Sequence, residues 1–165
     1  MAGVAWTQRP SVLLGGTALV CAAALAAALV SQHVFGMEPC PWCVLQRLIF
    51  VAIALACLIG LGWRAAAGRV LAAGLVLALA SSGVAAGLWQ HFVAAKSQSC
   101  NLTLADRIVT GLQLDTLLAD VFSPRASCAD AAVDLLGVPY VFWAIALFVL
   151  IAITAVQVVR LRSVA

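Results

Sequence analysis

One stretch of this sequence determines the fold: Met37-Glu38-Pro39-Cys40-Pro41-Trp42-Cys43-Val44-Leu45-Gln46-Arg47, followed by an apolar run from Leu48 to Gly62. It places a C-x-x-C pair where an irregular connection becomes a membrane helix. A helix N-terminus favours the thiolate form of cysteine, and Pro41 suits the first helical turn because its φ is already fixed. Arg47 follows Cys43 by four residues, so the two share a helix face and the guanidinium can stabilise a thiolate. We interpret this stretch as a redox site at a membrane surface.

Two non-catalytic interpretations of the C-x-x-C pair are a structural loop disulfide and half of a zinc site. Structural bridges rarely close so small a loop, and a tetrahedral zinc site usually needs a second closely spaced Cys or His pair, which the sequence lacks. Arg47 favours the redox interpretation, because an arginine just inside a membrane helix is costly and usually has a functional partner. We therefore expect no metal site.

Composition places the chain among integral membrane proteins. Of its 165 residues, 65% are hydrophobic and 9% are charged, with a mean hydropathy of +1.15. We expect one membrane domain over residues 1–165 and no nucleic-acid partner. An N-terminal apolar run after Arg9 resembles a signal peptide, but its length of about 20 residues predicts a retained helix. The predicted spans are approximately 11–30, 43–62, 70–91 and 138–159.

These spans predict an all-α, four-transmembrane-helix bundle with two loops outside the cytoplasm, approximately 31–42 and 92–137. The second loop is long, and its apolar residues from Leu104 to Phe122 recur at helical spacing. Thr103-Leu104-Ala105-Asp106 resembles a capping box before them. The pattern predicts a short amphipathic helix at the membrane interface, with packing against the other loop as the alternative. In the third span, Gly83-x-x-x-Gly87 predicts close helix approach.

Acidic residues lie on only one side of the predicted spans, together with the basic residues Arg47, Lys96, Arg107 and Arg125. The opposite side carries arginines and no acid: Arg9, Arg64, Arg69, Arg160 and Arg162. All 6 acids lie on the other side. The positive-inside rule therefore predicts that both termini are cytoplasmic and that the two longer loops face the opposite compartment.

The six cysteines fall into two groups. Cys21 and Cys57 lie in the middle of apolar runs, which predicts a packing role. The other four lie in the outer connections or at a helix end: Cys40, Cys43, Cys100 and Cys128. Disulfides persist in oxidising compartments, so two exposed cysteine pairs suit thiol–disulfide exchange.

Electrons that reach Cys40 and Cys43 need an acceptor. The sequence contains no dinucleotide-binding, haem-attachment or iron–sulfur motif. A quinone dissolved in the bilayer needs only a cleft beside the helices, and Arg47 can donate to a quinone oxygen. His91 closes the third span at the same depth and can donate to quinone or move protons; the alternative is an interfacial histidine.

The chain resembles the bacterial disulfide bond formation protein B (DsbB) family over essentially its whole length. Three sets of residues carry the resemblance: Glu38-Pro39-Cys40-Pro41-x-Cys43 with Gln46-Arg47; Leu88-Trp89-Gln90-His91 before Cys100; and Cys128-Ala129 followed by Leu136-Gly137-Val138-Pro139 and Trp143. Trp42 stands where family members often have leucine. Residues between the two cysteines affect the redox potential of the Cys40–Cys43 disulfide, so we do not expect this chain to share the potential of other family members.

The resemblance implies a multi-pass protein-disulfide:quinone oxidoreductase of the bacterial inner membrane, with its cysteine loops in the periplasm. It implies that the protein reoxidises a periplasmic thioredoxin-like dithiol protein of the DsbA type and so sustains protein disulfide bond formation. By resemblance, Cys100 forms the mixed disulfide with that partner and pairs with Cys128 at rest. Electrons then pass to Cys40 and Cys43. Cys43 faces ubiquinone or menaquinone, which Arg47 and His91 help to hold.

Two other classes are compatible with parts of the sequence. Vitamin K epoxide reductase-type proteins also combine four helices with C-x-x-C, but there the motif follows the loop pair, whereas here it precedes it. The second alternative is a non-catalytic membrane protein whose cysteines bind copper or staple loops. A bound quinone in purified protein supports the oxidase, and a stoichiometric metal supports the carrier.

Overall fold

Four long helices form the core of the computed structural model, which describes residues 10–63, 65–96 and 104–163. They are α1 (Pro10–His33), α2 (Pro41–Gly62), α3 (Ala66–Phe92) and α7 (Tyr140–Ser163). Each is long and apolar enough to cross a bilayer. The predicted all-α membrane bundle with four spans is confirmed.

Two glycines of α3 allow a close contact between α3 and α7. A Cβ added at Gly83 would lie 2.6 Å from the Phe148 ring, and one at Gly87 would lie 2.6 Å from Ile145. Phe148 in turn stacks on Phe50 of α2, with ring centroids 4.2 Å apart. The predicted close approach at Gly83-x-x-x-Gly87 is therefore confirmed, since only glycine admits these side chains.

Cys21 and Cys57 are packing residues, as predicted. Cys21 of α1 is 1% exposed and Cys57 of α2 is 0% exposed, and both belong to the main apolar core. Small, polarisable thiols of this kind fill space between helices. Neither residue lies among the side chains that form the outer end of the bundle.

Between Leu104 and Phe122, the second outer loop contains three short α-helices where the spacing predicted one. They are α4 (Leu104–Gly111), α5 (Leu114–Leu117) and α6 (Ala119–Phe122). The helical conformation is interrupted at Gln113, whose backbone φ of 54° lies in the left-handed region. The apolar positions also change phase between Leu112 and Leu114, so one straight helix could not keep them on one face.

These short helices pack on α2 and also present apolar side chains outward. Val109 and Phe122 are buried against Val44, near the start of α2. Four leucines remain more than half exposed: Leu104, Leu112, Leu117 and Leu118. The segment thus combines the packing of a loop helix with the exposed apolar face of an interfacial one. Thr103 of the predicted capping box lies outside the described residues.

Backbone hydrogen bonds tie the second outer loop to the first. The carbonyl oxygen of Pro39 accepts from the backbone N–H of Arg125 at 2.9 Å and from that of Ala126 at 3.3 Å. After this tether, a two-stranded hairpin of β1 (Asp134–Leu135) and β2 (Val138–Pro139) leads into α7. The tether brings residues near Cys128 to the start of α2.

Candidate functional site

The C-x-x-C pair forms the N-terminus of α2, as its sequence predicts. Cys40 is the N-cap, and its Sγ accepts from the backbone N–H of Cys43 at 3.3 Å. Pro41 occupies the first turn, where a backbone N–H would lack an intrahelical partner. The Sγ atoms of Cys40 and Cys43 are 2.8 Å apart. The two sulfurs are thus already in contact at the positive end of a helix dipole.

The side chain of Cys128 lies against that of Cys40. Cys128 is 1% exposed and Cys40 is 0% exposed. Hydrogen bonding with Cys128, hydrogen bonding with Cys43 and burial together raise the pKa of the Cys40 thiol. The Cys128 segment is held by a local turn, in which Ser127 Oγ donates to Asp130 at 2.6 Å and accepts from the Asp130 backbone N–H. Three sulfurs therefore meet, with Cys40 in the middle.

Cys100, the fourth predicted redox cysteine, lies outside the residues that the structure describes. The pairing of Cys100 with Cys128 therefore stays a prediction.

A cavity of about 710 Å³ opens beside Cys43, between α1, α2, α7 and the two outer loops. Small and aliphatic side chains of α1 and α7 form two of its walls: Ala24, Ala27, Ala28, Val141, Ala144 and Leu147. The polar part of the lining includes Gln46, Arg47 and Gln90. Cys43 lines the cavity, whereas fully buried Cys40 does not. An apolar cleft with a few convergent polar groups is typical of a small-molecule site.

Arg47 is buried at the edge of this cavity and is held from three directions. Its guanidinium donates to Gln32 Oε1 at 2.6 Å, to the Val121 carbonyl at 2.9 Å and to the Ala28 carbonyl at 3.2 Å. Only 5% of the residue is exposed. Arg47 also interacts electrostatically with Cys43 and Cys40. The predicted association of Arg47 with the C-x-x-C pair is therefore present, and it is accompanied by a clamp that joins α1, α2 and α6.

Two glutamines connect α2 and α3 beside Cys43. Gln46 Nε2 donates to Gln90 Oε1 at 2.6 Å, and Gln90 Nε2 donates to Cys43 Sγ at 3.2 Å. Sequence reasoning missed their role, along with that of Gln32. A signal was available, because uncharged polar residues in membrane helices are costly and tend to have polar partners.

The structure does not bring His91 to the cavity. Its ring contacts Phe92, at a centroid distance of 4.9 Å, and Phe142 of α7, at 4.8 Å. The cavity lining from the end of α3 is Gln90. Helical rise placed His91 at the right depth, but successive residues of a helix point about 100° apart, so the neighbouring residue faces the site.

Comparisons with known proteins agree on one family. Residues 9–158 match the family model for disulfide bond formation protein DsbB. The "Disulfide bond formation protein B" of Burkholderia pseudomallei is 34% identical over 158 residues, 94% of each chain. "Disulfide bond formation protein B 1" of Pseudomonas savastanoi pv. phaseolicola is 36% identical over 147 residues, 88% of this chain and 85% of the relative. The similar protein of Aromatoleum aromaticum is 33% identical over 152 residues, 87% of this chain and 89% of the relative.

Proposed function

Because this chain belongs to the DsbB family of disulfide bond formation proteins, we propose that it is a membrane protein-disulfide:quinone oxidoreductase. In this proposal it reoxidises a periplasmic thioredoxin-like dithiol protein and delivers the electrons to ubiquinone or menaquinone. Cys100 and Cys128 form the pair that receives electrons from the partner. Cys40 and Cys43 form the pair that passes them to the quinone.

The observation that carries this proposal is the order of the sulfurs. Cys128 contacts Cys40, Cys40 contacts Cys43 at 2.8 Å, and Cys43 alone of these three lines the cavity. Thiol–disulfide exchange requires direct contact between the attacking and attacked sulfurs. The arrangement therefore supports a route from Cys128 through Cys40 to Cys43 and the cavity.

The central exchange can be written with these residues alone. A thiolate at Cys128 attacks Cys40 Sγ of the Cys40–Cys43 disulfide, so the Cys128–Cys40 bond forms and the Cys40–Cys43 bond breaks. The electron pair of the broken bond leaves on Cys43 as a thiolate. Cys40 is buried and Cys43 opens to the cavity. The reducing equivalent thus ends at the sulfur that a bilayer-soluble acceptor can reach.

The residues around the cavity suit a quinone. Its walls are mainly apolar, and its size of about 710 Å³ falls within the usual range for small-molecule sites. An arginine guanidinium has five N–H donors. Among the described residues, that of Arg47 donates three hydrogen bonds, to Gln32, Val121 and Ala28. In this proposal, another N–H group of the same guanidinium donates to a quinone oxygen. A bound quinone would supply a two-electron, two-proton acceptor.

Orientation and location are part of the same proposal. The cysteine-bearing end of the bundle is also the end that carries the acidic residues of the sequence, and the arginine-rich connections lie at the other end. Under the positive-inside rule, this supports cytoplasmic termini and periplasmic cysteine loops in the bacterial inner membrane.

The direct test is quinone reduction by purified protein supplied with a reduced thioredoxin-like dithiol protein. Loss of quinone absorbance should accompany oxidation of the dithiol in equal amounts. Cys43→Ser should abolish turnover. Cys57→Ala is the matched control, since Cys57 lies in the same helix but in the apolar core, and it should retain turnover. A wild-type protein that oxidises the dithiol without consuming quinone, or that binds stoichiometric metal instead, would contradict the proposal.

A further inference from the structure

A buried side-chain amide contacts the sulfur at the cavity. Gln90 Nε2 lies 3.2 Å from Cys43 Sγ, within hydrogen-bond distance for a sulfur acceptor. Gln90 is 6% exposed and belongs to the cavity lining. It comes from α3, whereas Cys43 belongs to α2, so the contact is not a consequence of local helix geometry.

Gln46 fixes which end of the Gln90 amide faces the sulfur. Its Nε2 donates to Gln90 Oε1 at 2.6 Å, and Gln46 is itself 5% exposed. With its oxygen engaged in this way, Gln90 presents its NH₂ group to Cys43. A thiolate accepts hydrogen bonds and offers none, so this orientation suits the ionised form of Cys43.

We propose that Gln90 is a catalytic residue, whose amide donates to Cys43 Sγ and stabilises the thiolate that leaves when Cys128 attacks Cys40, with Gln46 as its positioning residue. The inference rests on the exchange route of the proposed function. Atoms and charge balance in this step, because one thiolate, at Cys128, is consumed and one thiolate, at Cys43, is released. Gln90 gives up no proton and only donates a hydrogen bond.

A neutral amide suits this position better than a charged group would. A carboxylate in place of Gln90 would bring a negative charge beside the thiolate and would lack a donor. A hydrogen bond to a charged group changes an equilibrium constant by roughly ten- to a hundredfold. Stabilising the reduced form in this way makes a disulfide more oxidising.

The test is the equilibrium of the Cys40–Cys43 disulfide with glutathione, measured without added quinone. The full-length chain carries Cys100→Ser and Cys128→Ser in every sample, so that only one disulfide exchanges. Gln90→Met keeps the side-chain length and removes the donor. It should make the disulfide about tenfold harder to reduce, which corresponds to ~30 mV for a two-electron couple.

Two variants separate a hydrogen-bonding role from a packing role. Gln46→Glu leaves Gln90 in place but offers it only acceptors, so the Gln90 amide should turn its NH₂ toward position 46 and the same shift should appear. Leu88→Met changes an exposed residue of α3 that lies off the cavity, and should leave the equilibrium within twofold of the parent.

A parent-like equilibrium in Gln90→Met would overturn the inference. If Gln90→Met does not fold, a parent-like equilibrium in Gln46→Glu overturns it instead. The readout needs no quinone, so its failure is distinct from failure of the proposed function. A parent protein that does not reduce quinone but shows the predicted shifts would refute the oxidase proposal and leave Gln90 assigned to Cys43.

Discussion

Arg47→Met is the substitution whose effect the structure defines best. It keeps the bulk of the side chain and removes the guanidinium that joins α1, α2 and α6. The three acceptors are affected unequally. Ala28 lies inside α1, so its carbonyl also accepts the helical hydrogen bond from Gln32. Gln32 Oε1 and the Val121 carbonyl lose a charged donor at 2.6 and 2.9 Å.

The Val121 carbonyl has no replacement in its own helix. The backbone N–H four residues later, that of Arg125, donates to Pro39 instead. An unsatisfied buried acceptor costs about 1–3 kcal/mol, so two of them predict a loss of roughly 2–6 kcal/mol in the local stability of the clamp. If a quinone oxygen also accepts from Arg47, the apparent KM for quinone should rise by roughly tenfold or more, since ~1.4 kcal/mol is a factor of ten.

Two measurements separate these effects. Hydrogen exchange of the backbone around Val121 reports the clamp, and steady-state quinone reduction over a range of quinone concentrations reports the apparent KM. Arg47→Lys should recover only part of each, because one ammonium cannot reproduce a planar fork that points at α1 and α6 together. Gln32→Met is the matched variant: it should raise exchange near Val121 while changing KM less. Normal exchange and a normal KM in Arg47→Met would refute this reasoning.

Three further predictions concern the cysteines and the helix packing. Cys100→Ser should abolish the trapped mixed disulfide with the dithiol partner and leave the Cys40–Cys43 bridge intact; partner trapping at the normal level would show that another cysteine is attacked. In the reduced protein, Cys40 should be alkylated more slowly than Cys43 at pH 8, because Cys40 is 0% exposed and its pKa is raised, so its thiolate forms only at higher pH. Equal rates by mass spectrometry would contradict that. Gly83→Val should destabilise the bundle by about 1–3 kcal/mol, because a Cβ would lie 2.6 Å from Phe148, and an unchanged thermal unfolding midpoint in detergent would exclude it.

Sequence patterns were sufficient to predict the membrane bundle, because the signals for a membrane helix lie within one short stretch of sequence. Hydrophobic length gives the four spans, and the proline and the cysteine spacing give the start of α2. The contact of Cys128 with Cys40 was not predictable in this way. It depends on a tether between residues 39 and 125–126, which are distant in sequence and carry no pairing signal.

For the side chains at the cavity, the sequence predicted their depth along the helix but not the direction in which they point around its axis. Counting helical rise placed the end of α3 level with Cys43, which is correct. The choice between Gln90 and His91 depends on the rotation of α3 about its axis, and that rotation is set by the fit of Gly83 and Gly87 against α7. The sequence contains these glycines, but the rotation follows only from the three-dimensional packing.

The tether at Pro39 has a consequence for how this protein tolerates substitution. Its donors are the main-chain N–H groups of Arg125 and Ala126, and its acceptor is a main-chain carbonyl. Any amino acid except proline supplies that N–H group. Arg125→Ala would therefore remove only the exposed ion pair with Asp120 and keep the tether, and related proteins can carry other residues at positions 125 and 126 while Cys128 stays beside Cys40. A proline at either position would remove one donor, and only such a backbone change would reveal how much the sulfur contact depends on it.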